Sequence, residues 1–234
     1  MPEIGTRFAA LVSGSEDELW ARLDEAALLI AAAGQGHDSD WVASQLARLD
    51  EIAADCPPGL DGLVSHLFAG DEGSLGLSGD TDTYADPQNS YLDRVLDRRL
   101  GIPITLSVLA IVVGRRIGVE LAGVGMPGHF LVRHEGQPRL LLDCFEGGRR
   151  LTSGDCQEIL ERITGGPLPG FDMAWLDPTP GRDIVVRMLT NLRQLALATA
   201  DVALLGWVAP LRAAVPGVGD DDLRLLNALR AKLS

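Results

Sequence analysis

Between positions 15 and 33 the apolar residues Leu19, Leu23, Ala26, Leu29 and Ile30 recur at the three- and four-residue spacing of one helix face. Ser15 stands where an N-cap would, Glu18 is placed to close a capping box, and Gly34 is the expected stop. The same spacing in Trp41, Leu46, Leu49 and Ile52 predicts a helix over 40–54, halted by Pro57-Pro58, and a short one follows over 60–68. Gly, Asp and Ser crowd 70–84, which predicts a surface loop. Asp86-Pro87-Gln88-Asn89 is a turn, after which Asn89 or Ser90 caps a helix to about residue 100, with Asp93 closing a box from Ser90. Pro103 suits the first turn of the next helix, where its missing N–H costs nothing. That helix, 103–117, is apolar nearly all round and therefore buried; Arg115 and Arg116 suit its C-terminal dipole and Gly118 closes it. Strand candidates come at 121–124, 129–133 and 139–143, with 149–151 as an added edge. Helical spacing returns over 157–163, 183–200, 202–214 and 220–233, with proline-rich linkers at 167–169 and 178–180. This order predicts an α+β fold, a small antiparallel sheet packed on the helix that starts at Pro103.

The strand pair carries the chemistry. Folding 129–133 back on 139–143 about Gly136 sets Arg133 opposite Arg139, Leu131 opposite Leu141, and His129 opposite Asp143. Opposed residues on one face come within side-chain reach. An imidazole held by a carboxylate is the base and orienting acid of a nucleophilic triad, and the nucleophile must come from elsewhere.

Composition narrows the classes. A chain of 234 residues buries one good core, or a core with a small helical appendage. Its longest apolar run, 102–113, is interrupted by Pro103, Thr105 and Ser107 and falls short of the ~20 residues that span a bilayer. The N-terminus has no basic stretch ahead of an apolar one, so the expected location is cytoplasmic. Three distant cysteines, Cys56, Cys144 and Cys156, make neither a disulfide framework nor a zinc spacing. His134 is an odd number of residues from His129, so on a regular strand the two point to opposite faces. No metal and no cofactor is expected. The net charge of −13 divides as −15 over 1–93, +4 over 94–150 and −2 over 151–234. That balance argues against nucleic acid and anionic membranes. The arginines of the centre are read as pairing with the acidic N-terminal part, an anionic ligand being the alternative.

The stretches Asn89-Ser90-Tyr91-Leu92, Arg98 through Ser107, Gly123 through Arg133, and Asp143 through Gly147-Gly148 resemble the bacterial SirB-type transglutaminase-like family. Leu77-Ser78-Gly79-Asp80 and Tyr84-Ala85-Asp86-Pro87 fit more loosely, and Arg187 through Leu192 is similar to that family's C-terminal segment, which continues into tetratricopeptide-like helices. The resemblance implies a papain-like core over 70–165, flanked by helical regions over 1–69 and 166–234. It further implies a cysteine at the start of the buried helix, with His129 and Asp143 on the adjacent strands. Where a Gly-x-Cys would stand, this chain has Gly101-Ile102-Pro103, and no cysteine lies between Cys56 and Cys144.

Three other groups could attack. Thr105 and Ser107 lie in the first turns of the helix, although a buried hydroxyl bonded to a carbonyl one turn back, or capping the helix start, is the preferred reading. Cys144 would face His129 only if the hairpin slipped by one residue, which flips every side chain. The expectation is therefore a transglutaminase-like protein without its cysteine nucleophile, a binding or regulatory module with a protein or peptide partner. His129 and Asp143 are its vestigial dyad, and Asn89, Pro103, Thr105 and His129 its ligand-binding residues. The alternatives are an amide-bond hydrolase or acyltransferase using Thr105, Ser107 or Cys144, and a structural helical adaptor.

Overall fold

The computed structural model describes residues 2–167, 170–218 and 221–233. Linker positions Leu168 and Pro169 and the expected helix start at Asp220 lie outside the described residues. In chain order the helices are α1 (Pro2–Ser13), α2 (Glu16–Ala21), α3 (Leu23–Gln35), α4 (Ser39–Ala54), α5 (Gly59–Phe68), α6 (Leu92–Arg98), α7 (Pro103–Arg116), α8 (Ser153–Thr164), α9 (Gly181–Ala198), α10 (Val202–Ala214) and α11 (Asp221–Leu233). The strands are β1 (Ser78–Gly79), β2 (Leu100–Gly101), β3 (Leu121–Val124), β4 (Leu131–His134), β5 (Gln137–Asp143) and β6 (Arg149–Leu151). The architecture is α+β, as the hydrophobic pattern predicts. Contacts gather the chain into two compact units, Met1–Ala47 with Ala85–Asp93 and Pro180–Ser234, and Arg48–Tyr84 with Arg94–Thr179.

In the first unit the single helix expected over 15–33 is two. The chain breaks at Arg22 (φ −117°, ψ 30°), and α2 keeps the expected cap, with the Ser15 hydroxyl accepting from the Glu18 N–H. Gly34 does not end the run. It lies inside α3 because a Cβ there would come within 2.7 Å of the Tyr91 hydroxyl, and the left-handed Gly36 (φ 77°) is the residue that closes the helix. α1 had no part in the expected order, although its buried positions Ile4, Phe8, Leu11 and Val12 follow helical spacing. Asp86 caps a 3₁₀ turn over Pro87–Ser90, accepting from the Gln88 N–H, and the helix expected to start after Asn89 or Ser90 begins at Leu92. Asp93 receives the Gln35 amide. In the C-terminal helices, Asp222 of α11 takes the guanidinium groups of Arg193 (α9) and Arg212 (α10), and Arg212 also donates to the Thr190 hydroxyl.

In the second unit every residue from Pro103 to Gly114 of α7 is buried. Gly114 allows the close approach, since a Cβ would stand 2.9 Å from the Val119 carbonyl oxygen and 3.0 Å from Leu63 of α5. The sheet runs in the order β3-β4-β5-β6, antiparallel throughout. Its residues Val124, Leu131, Leu141 and Leu151 form one core with Cys156, Ile159 and Leu160 of α8. The expected loop over 70–84 hides a short strand, because β1 pairs in parallel with β2, Ser78 with Leu100 and Gly79 with Gly101.

The hairpin register differs from expectation. His134 opposes Gln137, but the ladder then shifts and Arg133 opposes Leu141, not Arg139, with Val132 opposite Leu142. The turn closes tightly over Glu135-Gly136, and Pro138, Arg139 and Leu140 then intervene on β5 alone. Pro138 has no N–H for a ladder, which favours such an irregularity. Beyond it the two strands are offset by two residues from the expected pairing. A shift of two leaves every side chain on its expected face, whereas a shift of one would have reversed them all.

Candidate functional site

β4 begins at Leu131 and not at 129 as expected, so His129 lies two residues before the strand; continuing the register by one step sets Asp143 level with Leu131 and not with His129. The expected opposition is wrong in register, and the side chains still meet. His129 Nε2 lies 2.8 Å from Asp143 Oδ2, with the imidazole side chain 11% exposed and the carboxylate 2%. A carboxylate only accepts, so the ring presents a proton on Nε2 to Asp143 Oδ2. Asp143 Oδ1 accepts from the backbone N–H of Phe145 at 3.0 Å and of Glu146 at 3.3 Å. Both carboxylate oxygens are thus held by donors, and the acid cannot swing away from the ring.

Phe145 joins this pair to the start of α7. Its ring stands edge-on to His129, centroids 6.3 Å apart, and Tyr84 stands edge-on to Phe145 at 6.2 Å. Its carbonyl accepts from the Gly79 N–H at 3.2 Å, while Ser78 and Asp80 on either side donate to the carbonyls of Arg99 and Gly101. β1 therefore laces the loop after Asp143 to the chain that enters α7. Asp80 is itself buried, accepting from the N–H groups of Asp82 and Thr83 and from the Thr83 hydroxyl, with Arg98 at 3.6 Å. Sequence reasoning missed Phe145, Tyr84 and the role of Gly79. The signals were the family resemblance over 143–148, which contains Phe145, and its looser fit over 77–80 and 84–87.

α7 supplies no thiol. Pro103 occupies its first turn, behind Ile102, whose side chain makes no cap. Ser107 is fully buried and directs its hydroxyl to the Phe130 carbonyl at 3.5 Å, a long contact. Thr105 is also fully buried, and among the described residues its Oγ1 has no hydrogen-bond partner. Thr105 thus departs from both readings of it, being neither bonded to the imidazole nor satisfied by a carbonyl one turn back. Asn89 is buried on the 3₁₀ turn of the first unit.

The thiols near Asp143 are held protonated. Burial pushes Cys144 up to about 12, partly opposed by a hydrogen bond with Ser107 and reinforced by the Asp143 charge. The observed register also gives no place to the slipped pairing of His129 with Cys144. Cys156, in the first turns of α8, is pushed up to about 11 by burial, then by Asp155 and Asp143. Nucleophilic thiols need the opposite shift. A cavity of about 670 Å³ in this unit lies at the other end of β5, against Arg139, Leu140 and Arg150.

Among the described residues, no helix is long and apolar enough to cross a membrane. No solved structure matches the chain. Known relatives do. A UPF0162 protein of Xylella fastidiosa (strain 9a5c) is 48% identical over 128 residues, which are 52% of this chain and 44% of that protein. A UPF0162 protein of Pseudomonas aeruginosa is 36% identical over 185 residues, 76% of this chain and 66% of the relative. F-box only protein 21 of Mus musculus is 36% identical over 130 residues, 52% of this chain and 20% of that protein. The match thus spans less than half the length of the Xylella relative. The transglutaminase-like superfamily profile matches residues 43–190, a stretch that holds the His–Asp pair, the β1 lacing and the buried helix begun by Pro103, and the chain belongs to that superfamily.

Proposed function

We propose that this chain is a transglutaminase-like protein without a cysteine nucleophile, acting as a binding or regulatory module. The observation that carries the reading is Pro103 in the first turn of α7, where the superfamily resemblance calls for the thiol. The surroundings agree: burial holds the Cys144 and Cys156 thiols protonated, Ser107 is turned to a carbonyl, and among the described residues the Thr105 hydroxyl has no hydrogen-bond partner. What survives is an oriented imidazole, His129, and, on the buried helix α7, Pro103 and the Thr105 hydroxyl. Those groups bind a carbonyl or carboxylate of a peptide or small ligand without cutting it. In sequence order the reading keeps a helical region over 1–69, the core over 70–165, and a tetratricopeptide-like region over 166–234 that docks a protein. Asn89 is a separate proposal as a ligand-binding residue of the 3₁₀ turn. The SirB-type resemblance supplies the regulatory sense, in a cytoplasmic protein that does not act on nucleic acid.

The second reading, an amide-bond hydrolase or acyltransferase, draws on the 2.8 Å His129–Asp143 contact, which is the geometry of a working base. Intact-mass spectrometry after exposure to activated acyl esters separates the two. The proposed reading expects no His129-dependent adduct on the natural chain. It also expects Pro103→Cys to create a thiol alkylated far faster than Cys144, with the rate lowered by His129→Ala. A His129-dependent acyl adduct on Thr105, Ser107 or Cys144 of the natural chain establishes the enzyme instead. A Pro103→Cys thiol no more reactive than Cys144 removes the assignment of Pro103 to the nucleophile position.

A further inference from the structure

The ladder around β5 is incomplete on one flank. β6 pairs with β5 only from Leu141↔Leu151 to Asp143↔Arg149, and beyond Leu151 the chain turns at Thr152 into the capping box of α8. On the other side, Pro138, Arg139 and Leu140 intervene between the paired positions Gln137 and Leu141. Four residues of extended chain, 137–140, therefore border the cavity of about 670 Å³, with Leu140 and Leu151 as its apolar lining and Arg139 and Arg150 its charged groups. That volume is in the range of ligand sites. Among the described residues that line it none is acidic, although Asp61 pairs with Arg150 at its rim.

We propose that this groove binds an acidic peptide segment in extended conformation, laid beside Gln137–Leu140 as an added strand. The inference goes beyond the reading of the His129 site and does not depend on it. Strand addition obtains affinity from main-chain hydrogen bonds and specificity from alternate side chains. Main-chain donors of an extended strand alternate between its two edges, so one of the Arg139 and Leu140 N–H groups faces this flank, and about 13 Å of strand at ~3.3 Å per residue accommodates four peptide residues. The two arginines select for carboxylates, which a guanidinium fork grips in bidentate fashion. Arg150 already pairs with Asp61, but both side chains are more than half exposed, at 56% and 87%. An exposed pair of this kind contributes little, so a peptide carboxylate replaces Asp61 at small cost. Pro138 and the arginines also guard the flank against indiscriminate pairing with neutral strands, as exposed edges require. The chain's net charge of −13 does not defeat the attraction, because charges beyond ~8 Å are screened at physiological ionic strength.

The test is fluorescence anisotropy with the full chain and a labelled octapeptide of alternating Glu and Val. Saturable binding is expected, with Arg139→Glu and Arg150→Glu each weakening it at least tenfold. Leu140→Pro, which keeps both arginines and deletes an N–H, should weaken it comparably, with circular dichroism confirming that each variant folds. A Lys-Val octapeptide should not bind, millimolar phosphate or free glutamate should not displace the probe, and His129→Ala should leave its affinity unchanged. Equal affinity in the arginine variants, or displacement by phosphate as effective as by unlabelled peptide, overturns the proposal. So does sedimentation showing a dimer of the chain that Arg139→Glu dissociates, since the groove would then hold a second copy.

Discussion

The ring of Phe145 lies where a side chain of Gly79 would begin: a Cβ on Gly79 would stand 2.5 Å from Cδ2 of that ring. Gly79 is thus small for a steric reason, not for backbone freedom. Its N–H bonds the Phe145 carbonyl while its missing side chain admits the ring, and the ring then braces His129 edge-on. Gly79→Ala should expel the ring and cost about 1–3 kcal/mol, the usual range for overpacking. NMR should show the His129 ring protons losing the upfield or downfield displacement that an adjacent aromatic ring imposes. An unchanged His129 spectrum in a destabilised variant would show that Phe145 packs there without positioning the imidazole.

Thr105 offers a sharper distinction between stability and function. A buried hydroxyl without a partner carries an uncompensated desolvation cost of about 1–3 kcal/mol. Thr105→Val is nearly isosteric and removes that hydroxyl, so the unliganded chain should gain about 1 kcal/mol, or roughly 2–4 °C in Tm. Thr105→Ser retains the hydroxyl and should show no gain. If Thr105 belongs to the binding site, the Val variant should bind its ligand more weakly while melting higher, the trade-off expected at functional positions. A Val variant that melts lower contradicts the orphan hydroxyl.

How far the sequence alone reached depends on the range of the interaction concerned. α7 was legible because twelve consecutive buried residues leave no polar face to misread. β3 was legible to the residue, since a strand buried on both faces writes itself into a short apolar run, and β6 matched in bounds although only Leu151 of its three residues is buried. The faces of His129 and Asp143 were legible because alternation has a period of two, whereas their register depended on a shift between Arg133 and His134, opposite 138–140, that no periodicity signals. β1 was illegible for a different reason: a two-residue strand in a Gly-, Asp- and Ser-rich loop is defined by its partner, Leu100-Gly101, and by Phe145, both far along the chain. Gly34 was misread because a glycine that ends a helix and one that makes room for Tyr91 are identical letters.

Asp222 should govern the docking of α11. Burial alone would raise its carboxyl, but hydrogen bonds and charge from Arg193 and Arg212 outweigh it and hold it below the ordinary carboxylate range. A depressed carboxyl contributes stability that is present above its unfolded value, ~3.9, and is lost as pH falls through the folded value. Asp222→Asn leaves two guanidinium groups without their anion and should cost about 3 kcal/mol, the lower end for breaking a buried pair. Hydrogen exchange should show α11 amides opening in this variant at neutral pH, and in the natural chain only in acid. Protection unchanged by the substitution would mean that apolar packing holds α11 alone.

The alkaline limb of stability should belong to Cys144. Its folded value of about 12 stands above the ordinary thiol value of 9.0, so the native state keeps its proton where the unfolded chain has lost it. A raised acid leaves stability flat below the unfolded value and erodes it as pH climbs from there towards 12, by up to about 1.4 kcal/mol per pH unit. Cys144→Ala removes that titration and leaves the Ser107 hydroxyl its contact with the Phe130 carbonyl. Urea unfolding at pH 8.0 and 10.5 should therefore show the natural chain losing about 2 kcal/mol more than the variant over the interval. Cys156, raised to about 11, adds a smaller slope common to both chains and cancels in the difference. Parallel losses in the two proteins would mean that the Cys144 thiolate forms in the folded state, and a thiolate lodged between Ser107 and Asp143 would return this residue to the list of nucleophiles.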